Sequence, residues 1–142
     1  MLVAFDGSKD SVRAVDFGCS LAKKYDSSLI IVHVYSTVLP AYAGVAPMPV
    51  PDFQGSAEQS KERARVVLQH GMELARARGV EAKGELIQAG STVQALVEFA
   101  ASEKVGLIVL GTRGMTGFKK LIMGSVSSGV VSHAECPVLV VR

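Results

Sequence analysis

Short runs of aliphatic and β-branched residues alternate along the chain with longer stretches whose apolar positions recur every three or four residues. Leu2 to Phe5, Leu29 to Tyr35, Ala82 to Gln88, Leu107 to Leu110 and Val138 to Val141 read as five strands separated by four helical patterns. Runs such as Leu-Ile-Ile-Val at 29–32 and Leu-Ile-Val-Leu at 107–110 carry no polar alternation. A strand needs that pattern when helices cover both of its faces, so the sheet is expected to be largely parallel and the fold α/β.

The helical patterns have recognisable starts and stops. Ser8 is placed to cap the first helix, in which Val12, Val15, Cys19 and Ala22 form one apolar stripe that Lys23, Lys24 and Tyr25 close. Ser56 with Gln59, and Ser91 with Gln94, have capping-box spacing at two later starts. In the longer of these helices Ala64, Val67, Leu68, Gly71, Leu74 and Ala75 share a face opposite Lys61, Arg63, Arg65 and Glu73, and Gly79 ends it. The third helix buries Val93, Leu96, Val97 and Ala100. The fourth starts near Gly124-Ser125 and runs to about His133, before Pro137 blocks any continuation.

Composition narrows the class. At 142 residues with 49% hydrophobic content, the chain fits one domain, 1–142, with a single core. Fifteen Lys plus Arg against thirteen Asp plus Glu leave +2, too little for a protein that grips nucleic acid. Mean hydropathy is +0.33, yet no apolar run approaches membrane-spanning length, so no membrane partner is expected. The first residues lack a basic segment ahead of an apolar one, so no signal peptide is expected. Cys19 and Cys136 are far apart and form neither a disulfide framework nor a zinc knuckle; a reducing cytoplasm is the expected compartment.

Two connections are longer than α/β loops require. Residues 36–55 hold four of the five prolines and one charged residue, Asp52, and read as an insertion that serves as a lid, as a partner-facing arm, or has no role of its own. The second, 111–124, is rich in glycine, carries Arg113, Lys119 and Lys120, and has no Asp or Glu from Gly111 to Ser132. Glycines admit phosphate oxygens close to backbone N–H groups, and a helix start adds unsatisfied donors and partial positive charge. The segment therefore reads as an anion cradle in preference to the alternative, a plain strand-to-helix loop that needs glycines for turning, although neither the Walker A pattern nor Gly-x-Gly-x-x-Gly occurs in the chain.

Open α/β sheets bind ligands beyond the carboxyl ends of strands where strand order reverses, which here puts the ends of the first and fourth strands at the crevice. Asp6 would stand there beside the glycine loop, either facing a ribose hydroxyl or metal, or capping the Gly7-Ser8 helix start. His33, His70 and His133 are scattered with no His-Glu-x-x-His, His33 reading as a satisfied strand residue and His133 as a helix-end cation. No Gly-x-Ser-x-Gly elbow activates a serine, and Cys136 before Pro137 reads as packing.

The residues together resemble the universal stress protein family, specifically its ATP-binding branch. The opening Val3-Ala4-Phe5-Asp6-Gly7-Ser8, the Val32-His33-Val34-Tyr35 strand end, the closing Cys136-Pro137-Val138-Leu139-Val140-Val141, and Gly111-x2-Gly114-x9-Gly124-Ser125 carry the likeness, which spans nearly the whole chain. It implies a Rossmann-like fold of the adenine-nucleotide alpha hydrolase-like type, a five-stranded parallel sheet with helices on both faces. It also implies a homodimer, and ATP as ligand with Mg²⁺ accompanying it; the short, β-branched last strand, Pro137 to Val141, has an open edge through which that homodimer is expected to form. By the same resemblance Ala4 and Asp6 lie near the nucleoside and the Val34 backbone recognises adenine. Gly111, Arg113 and Gly114 approach ribose and phosphates, and Gly124, Ser125, Val126 and Ser127 cradle the triphosphate.

The function so implied is a nucleotide-dependent stress-response module. The alternative is a slow ATPase or phosphotransferase using the same site. Turnover needs a group that positions water at the γ-phosphate, and Asp6 is the only obvious acid for that task, so binding is the preferred reading.

Overall fold

The computed structural model describes residues 1–36, 53–114 and 123–142. The proline-rich stretch at 37–52 and the loop lysines Lys119 and Lys120 lie outside the described residues. Among the described residues the elements run β1 (Leu2–Ala4), α1 (Lys9–Tyr25), β2 (Leu29–Tyr35), α2 (Phe53–Ala77), β3 (Ala82–Gln88), α3 (Thr92–Ser102), β4 (Ile108–Gly111), α4 (Ser125–His133) and β5 (Val138–Val141). The strands form one sheet in the order β3-β2-β1-β4-β5. Every pairing is parallel: Val3 sits opposite Ile31 and Val109, Val32 opposite Glu85, and Leu110 opposite Val140.

The two-residue period of the strands sorts the core into two layers. Val3, Phe5, Leu29, Ile31, Val109 and Val141 pack with Ala14, Val15, Cys19 and Ala22 of α1 and Ala75 of α2. Leu2, Val32, Ile108 and Leu110 turn to the other face, against Leu96 and Ala100 of α3 and Val130 of α4. Because both faces are covered, β1 and β4 have no solvent side, and Leu2, Val3, Ile108 and Val109 are fully buried. That is why their sequences show no alternation.

The helix boundaries follow from caps. Ser8 Oγ accepts from Ser11 N at 3.2 Å, and Ser91 Oγ from Gln94 N at 3.3 Å, as the spacing predicts. Val80 N reaches back to Ala75 O around Gly79, whose φ of 68° suits a residue with no Cβ. One start differs from the expectation. The backbone is already helical from Phe53, so Ser56 falls inside the first turn of α2 and the last residues of the 36–55 segment belong to the helix. Asp52, directly before Phe53 in the sequence, is an equally good capping type, and spacing alone does not rank the two. At the strand ends the shifts are one residue: β1 stops at Ala4, and β4 covers Ile108–Gly111.

Candidate functional site

The strand order puts β1 beside both β2 and β4. The connection from β1 runs to α1 on one face, while the connection from β4 runs to α4 on the other. The two chain directions diverge there, opening a crevice at the carboxyl ends of the strands. A cavity of about 510 Å³ occupies it, inside the usual range of roughly 300–1,000 Å³ for small-molecule sites.

The structure brings all ten residues expected from the sequence to the wall of this cavity. Ala4 and Asp6 reach it from the end of β1, and Val34 from the end of β2. Gly111, Arg113 and Gly114 come from the turn after β4, and Gly124, Ser125, Val126 and Ser127 from the start of α4. The last rung between β1 and β2 is Phe5 N donating to Val32 O at 2.9 Å. Alternation turns the amide and carbonyl of Val34 toward the same side, one step beyond that rung. Val32, Leu96, Leu110 and Val126 make this end of the cavity apolar.

The opposite end is polar and built on a helix terminus. Gly124 caps α4 with extended backbone and contributes no side-chain bond, and the first intrahelical bond is Ser128 N to Gly124 O at 3.0 Å. The amides of Ser125, Val126 and Ser127 precede that bond, so they belong to the set of helix N–H groups that an anion satisfies. Ser127 itself is 2% exposed, and its hydroxyl lies within hydrogen-bonding reach of Thr112 O (2.9 Å) and Gly124 O (3.0 Å). The hydroxyl is thus committed to the frame of the loop, and the amide is the part of Ser127 suited to a ligand.

Of the two roles weighed for Asp6, the structure shows the one at the helix start. Its Oδ1 accepts from Ser8 N at 2.9 Å, which fixes the entry to α1. Its Oδ2 lies beside Gly114, where an added Cβ would come within 2.7 Å of it. The glycines also turn out to be required by the protein's own atoms. A Cβ on Gly111 would meet the Asp10 carbonyl carbon at 2.7 Å, and one on Gly124 would meet Thr112 O at 3.1 Å. Phosphate oxygens are expected from the sequence in those spaces; the nearest atoms filling them are the backbone and Cβ of the first turn of α1, the Thr112 carbonyl and the Asp6 carboxylate.

Several participants were not foreseen. Asp10, in the first turn of α1, is 8% exposed; its Oδ2 accepts from Thr112 Oγ1 at 2.8 Å and lies 3.5 Å from Arg113 Nε. Burial pushes the Asp10 carboxyl up, but the Thr112 hydroxyl and the Arg113 guanidinium outweigh it and hold the group below its ordinary value of 3.8. Asp10 is therefore a carboxylate at neutral pH. Ser11, whose hydroxyl donates to Ser8 O, and Thr92 also line the cavity. His33 lines it too, with Nδ1 2.8 Å from Phe5 O; a carbonyl can only accept, so this ring nitrogen carries the proton. An acid in a helix first turn usually answers the helix dipole, and that is all the sequence signals about Asp10.

Among the described residues no group of three or more His, Cys, Asp and Glu side chains gathers to hold a metal, and no helix is long and apolar enough to cross a membrane. Cys19 is buried in the α1 layer, which pushes its thiol up and leaves it inert.

Comparison with known proteins agrees with this architecture. The model of the universal stress protein family matches residues 1–142. A universal stress protein of Thermus aquaticus, from the 3' region of a QAH/OAS sulfhydrylase gene, is 37% identical over 142 residues, covering 100% of this chain and 97% of the relative. Universal stress protein UspA from Lactobacillus plantarum superposes with a TM-score of 0.80 at 23% identity, covering 99% of this chain and 95% of that one. A universal stress protein solved in complex with cAMP superposes with a TM-score of 0.70 at 27% identity, covering 99% and 94% of the two chains. Over its whole length, then, this chain belongs to the universal stress protein family.

Proposed function

We propose that the protein is an adenine-nucleotide-binding module that takes ATP in the cavity between β1 and β4. The observation that carries this reading is the meeting, in one cavity of about 510 Å³, of an apolar slot edged by the Val34 backbone with the open N-terminus of α4. The cAMP bound by the structural relative is in keeping with it. The Val34 amide and carbonyl offer one donor and one acceptor side by side. Adenine's edge carries the complementary pair and guanine's carries it reversed. At the other end the α4 amides and Arg113 receive the phosphates, while Gly111 and Gly114, by letting the turn close against Asp10 and Asp6, hold its backbone beside the ribose and Asp6 faces the nucleoside. Mg²⁺ enters with the nucleotide, held mainly by phosphate oxygens with at most a carboxylate from the protein, the usual habit of this ion.

Calorimetric titration tests the reading. ATP with Mg²⁺ is expected to bind at least about tenfold more tightly than GTP, since a reversed base edge leaves buried polar groups unpaired. Equal affinities for the two, or no binding of either, overturn it.

The module works as a homodimer joined through β5. Among the described residues that strand pairs with β4 alone, and its Val138, Leu139 and Val140 are only partly buried. The two helices packed along it carry exposed apolar side chains, Phe17 on α1 at 53% and Val131 on α4 at 47%. Pairing with a symmetry mate satisfies the strand's outer edge and covers its valines. Sedimentation should give a dimer at micromolar concentration, weakened in Phe17→Asp, and a monomeric wild-type protein removes the dimer from this account.

A further inference from the structure

Three hydrogen-bonded connections converge on the turn after β4, and one residue anchors two of its side chains together. Thr112 N donates to Val141 O at 2.8 Å, tying the turn to the last strand. Thr112 O accepts from Gly124 N at 2.8 Å, tying it to the start of α4, and the Ser127 hydroxyl lies 2.9 Å from the same oxygen. On the third side the turn meets α1, where Ser8 Oγ donates to Arg113 O at 3.3 Å and Asp10 holds both the Thr112 hydroxyl and the Arg113 guanidinium. The pair with Asp10 is made through Arg113 Nε. Four of the five guanidinium N–H groups, those on the Nη nitrogens, are left uncommitted by this pair.

We propose that Asp10 is the positioning residue of the anion end of the cavity: by gripping Thr112 and Arg113 at once, it aims the guanidinium and the α4 amides at the same phosphate. The inference rests on the nucleotide reading above. Asp10 does not itself line the cavity, so it acts through its two partners. A carboxylate paired with the only cationic side chain among the described lining residues has two conceivable effects. It lowers the charge available to phosphate, and it fixes where the remaining donors stand. A guanidinium on a mobile stem loses side-chain entropy when it is ordered on a ligand, and a partner that orders it beforehand removes that loss. The buried, doubly bonded geometry of Asp10 makes positioning the larger effect.

The experiment is calorimetric titration of the full chain with ATP, AMP and adenosine, using wild type, Asp10→Asn, Arg113→Gln and the double variant. Thermal unfolding without ligand checks that each is folded. Each single variant should weaken ATP and AMP by about tenfold and leave adenosine unchanged, with the double variant no weaker than either single, the signature of groups acting as one. If Asp10→Asn does not fold, Thr112→Val against Thr112→Ser reads the same linkage: the valine loses phosphate affinity and the serine, which keeps the hydroxyl, retains it. Tighter ATP binding in Asp10→Asn means that Asp10 merely screens Arg113 and overturns the proposal. Additive losses overturn it as well, as does an equal loss for adenosine. A wild-type protein that binds none of the three ligands overturns the nucleotide reading along with it, an outcome distinct from failure of the Asp10 assignment alone.

Discussion

Gly111→Val is expected to destabilise the protein by about 3 kcal/mol or more, the upper end of overpacking costs. The first atom of the new side chain would stand 2.7 Å from both the carbonyl carbon and the Cβ of Asp10 and 2.9 Å from Ser11 N. Two of these atoms are backbone of the first turn of α1, which is pinned by the Ser8 cap and by the Asp10–Thr112 bond, so no flexible side chain is there to yield. For a chain of this size the cost corresponds to a fall of roughly 10 °C in the thermal midpoint. The matched control is Gly90→Ala, where a Cβ meets nothing within 4 Å and stability should change little. Thermal unfolding of the two variants side by side checks the argument, and a Gly111→Val midpoint equal to wild type removes it.

Ser125→Pro is expected to leave the fold intact while weakening ATP by roughly ten- to hundredfold, the worth of one hydrogen bond to a charged group. Ser125 is the first residue of α4 and is exposed. Proline is favoured at a first helical position because the missing N–H has no intrahelical partner there. The residue before a proline must be extended, and Gly124 already has φ of −79° and ψ of 166°. The substitution therefore deletes one amide of the cradle without asking the backbone to move. Ser125→Ala, which keeps the amide, separates the contribution of the hydroxyl. Unchanged affinity in a folded Ser125→Pro variant would falsify the assignment of phosphate to the α4 terminus. It is a cleaner test than replacing Gly114 or Gly124, whose missing Cβ atoms already make room for Asp6 and Thr112.

The residues that were legible in the sequence owe it to short-range physics. Continuous apolar runs at 29–32 and 107–110 marked β2 and β4 to within a residue, because those stretches are covered on both faces and carry no polar positions to blur them. The glycine spacing marked one end of the cavity, since 111, 114 and 124 bracket a strand end and a helix start. Asp10 escaped because its partner Thr112 lies 102 residues away, and an acid in a first helical turn already has a local explanation. The tightness at Gly111 escaped for the same reason. Helix α1 reaches that strand end only in the folded sheet, so no local pattern distinguishes a glycine that admits ligand from one that admits the chain itself. The early start of α2 was hidden by two capping residues of similar merit, Asp52 and Ser56.

The position of β1 at the centre of the sheet has a consequence for how the chain is made. Its neighbour β2 follows about one helix later, whereas its other neighbour, β4, is synthesised more than 100 residues after it. During translation the half comprising β1, β2, β3, α1 and α2 can pair and bury one layer, but the free edge of β1 stays open until Ile108 and Val109 emerge. An apolar edge exposed for that interval is a site for misassociation, and closing it is a slow, non-local step. The cavity lies across that same seam, with β1 and β2 contributing one wall and β4 and α4 the other. A ligand that needs both walls binds only the finished molecule, so under the nucleotide-binding function proposed above, ligand would favour completion of the chain by mass action.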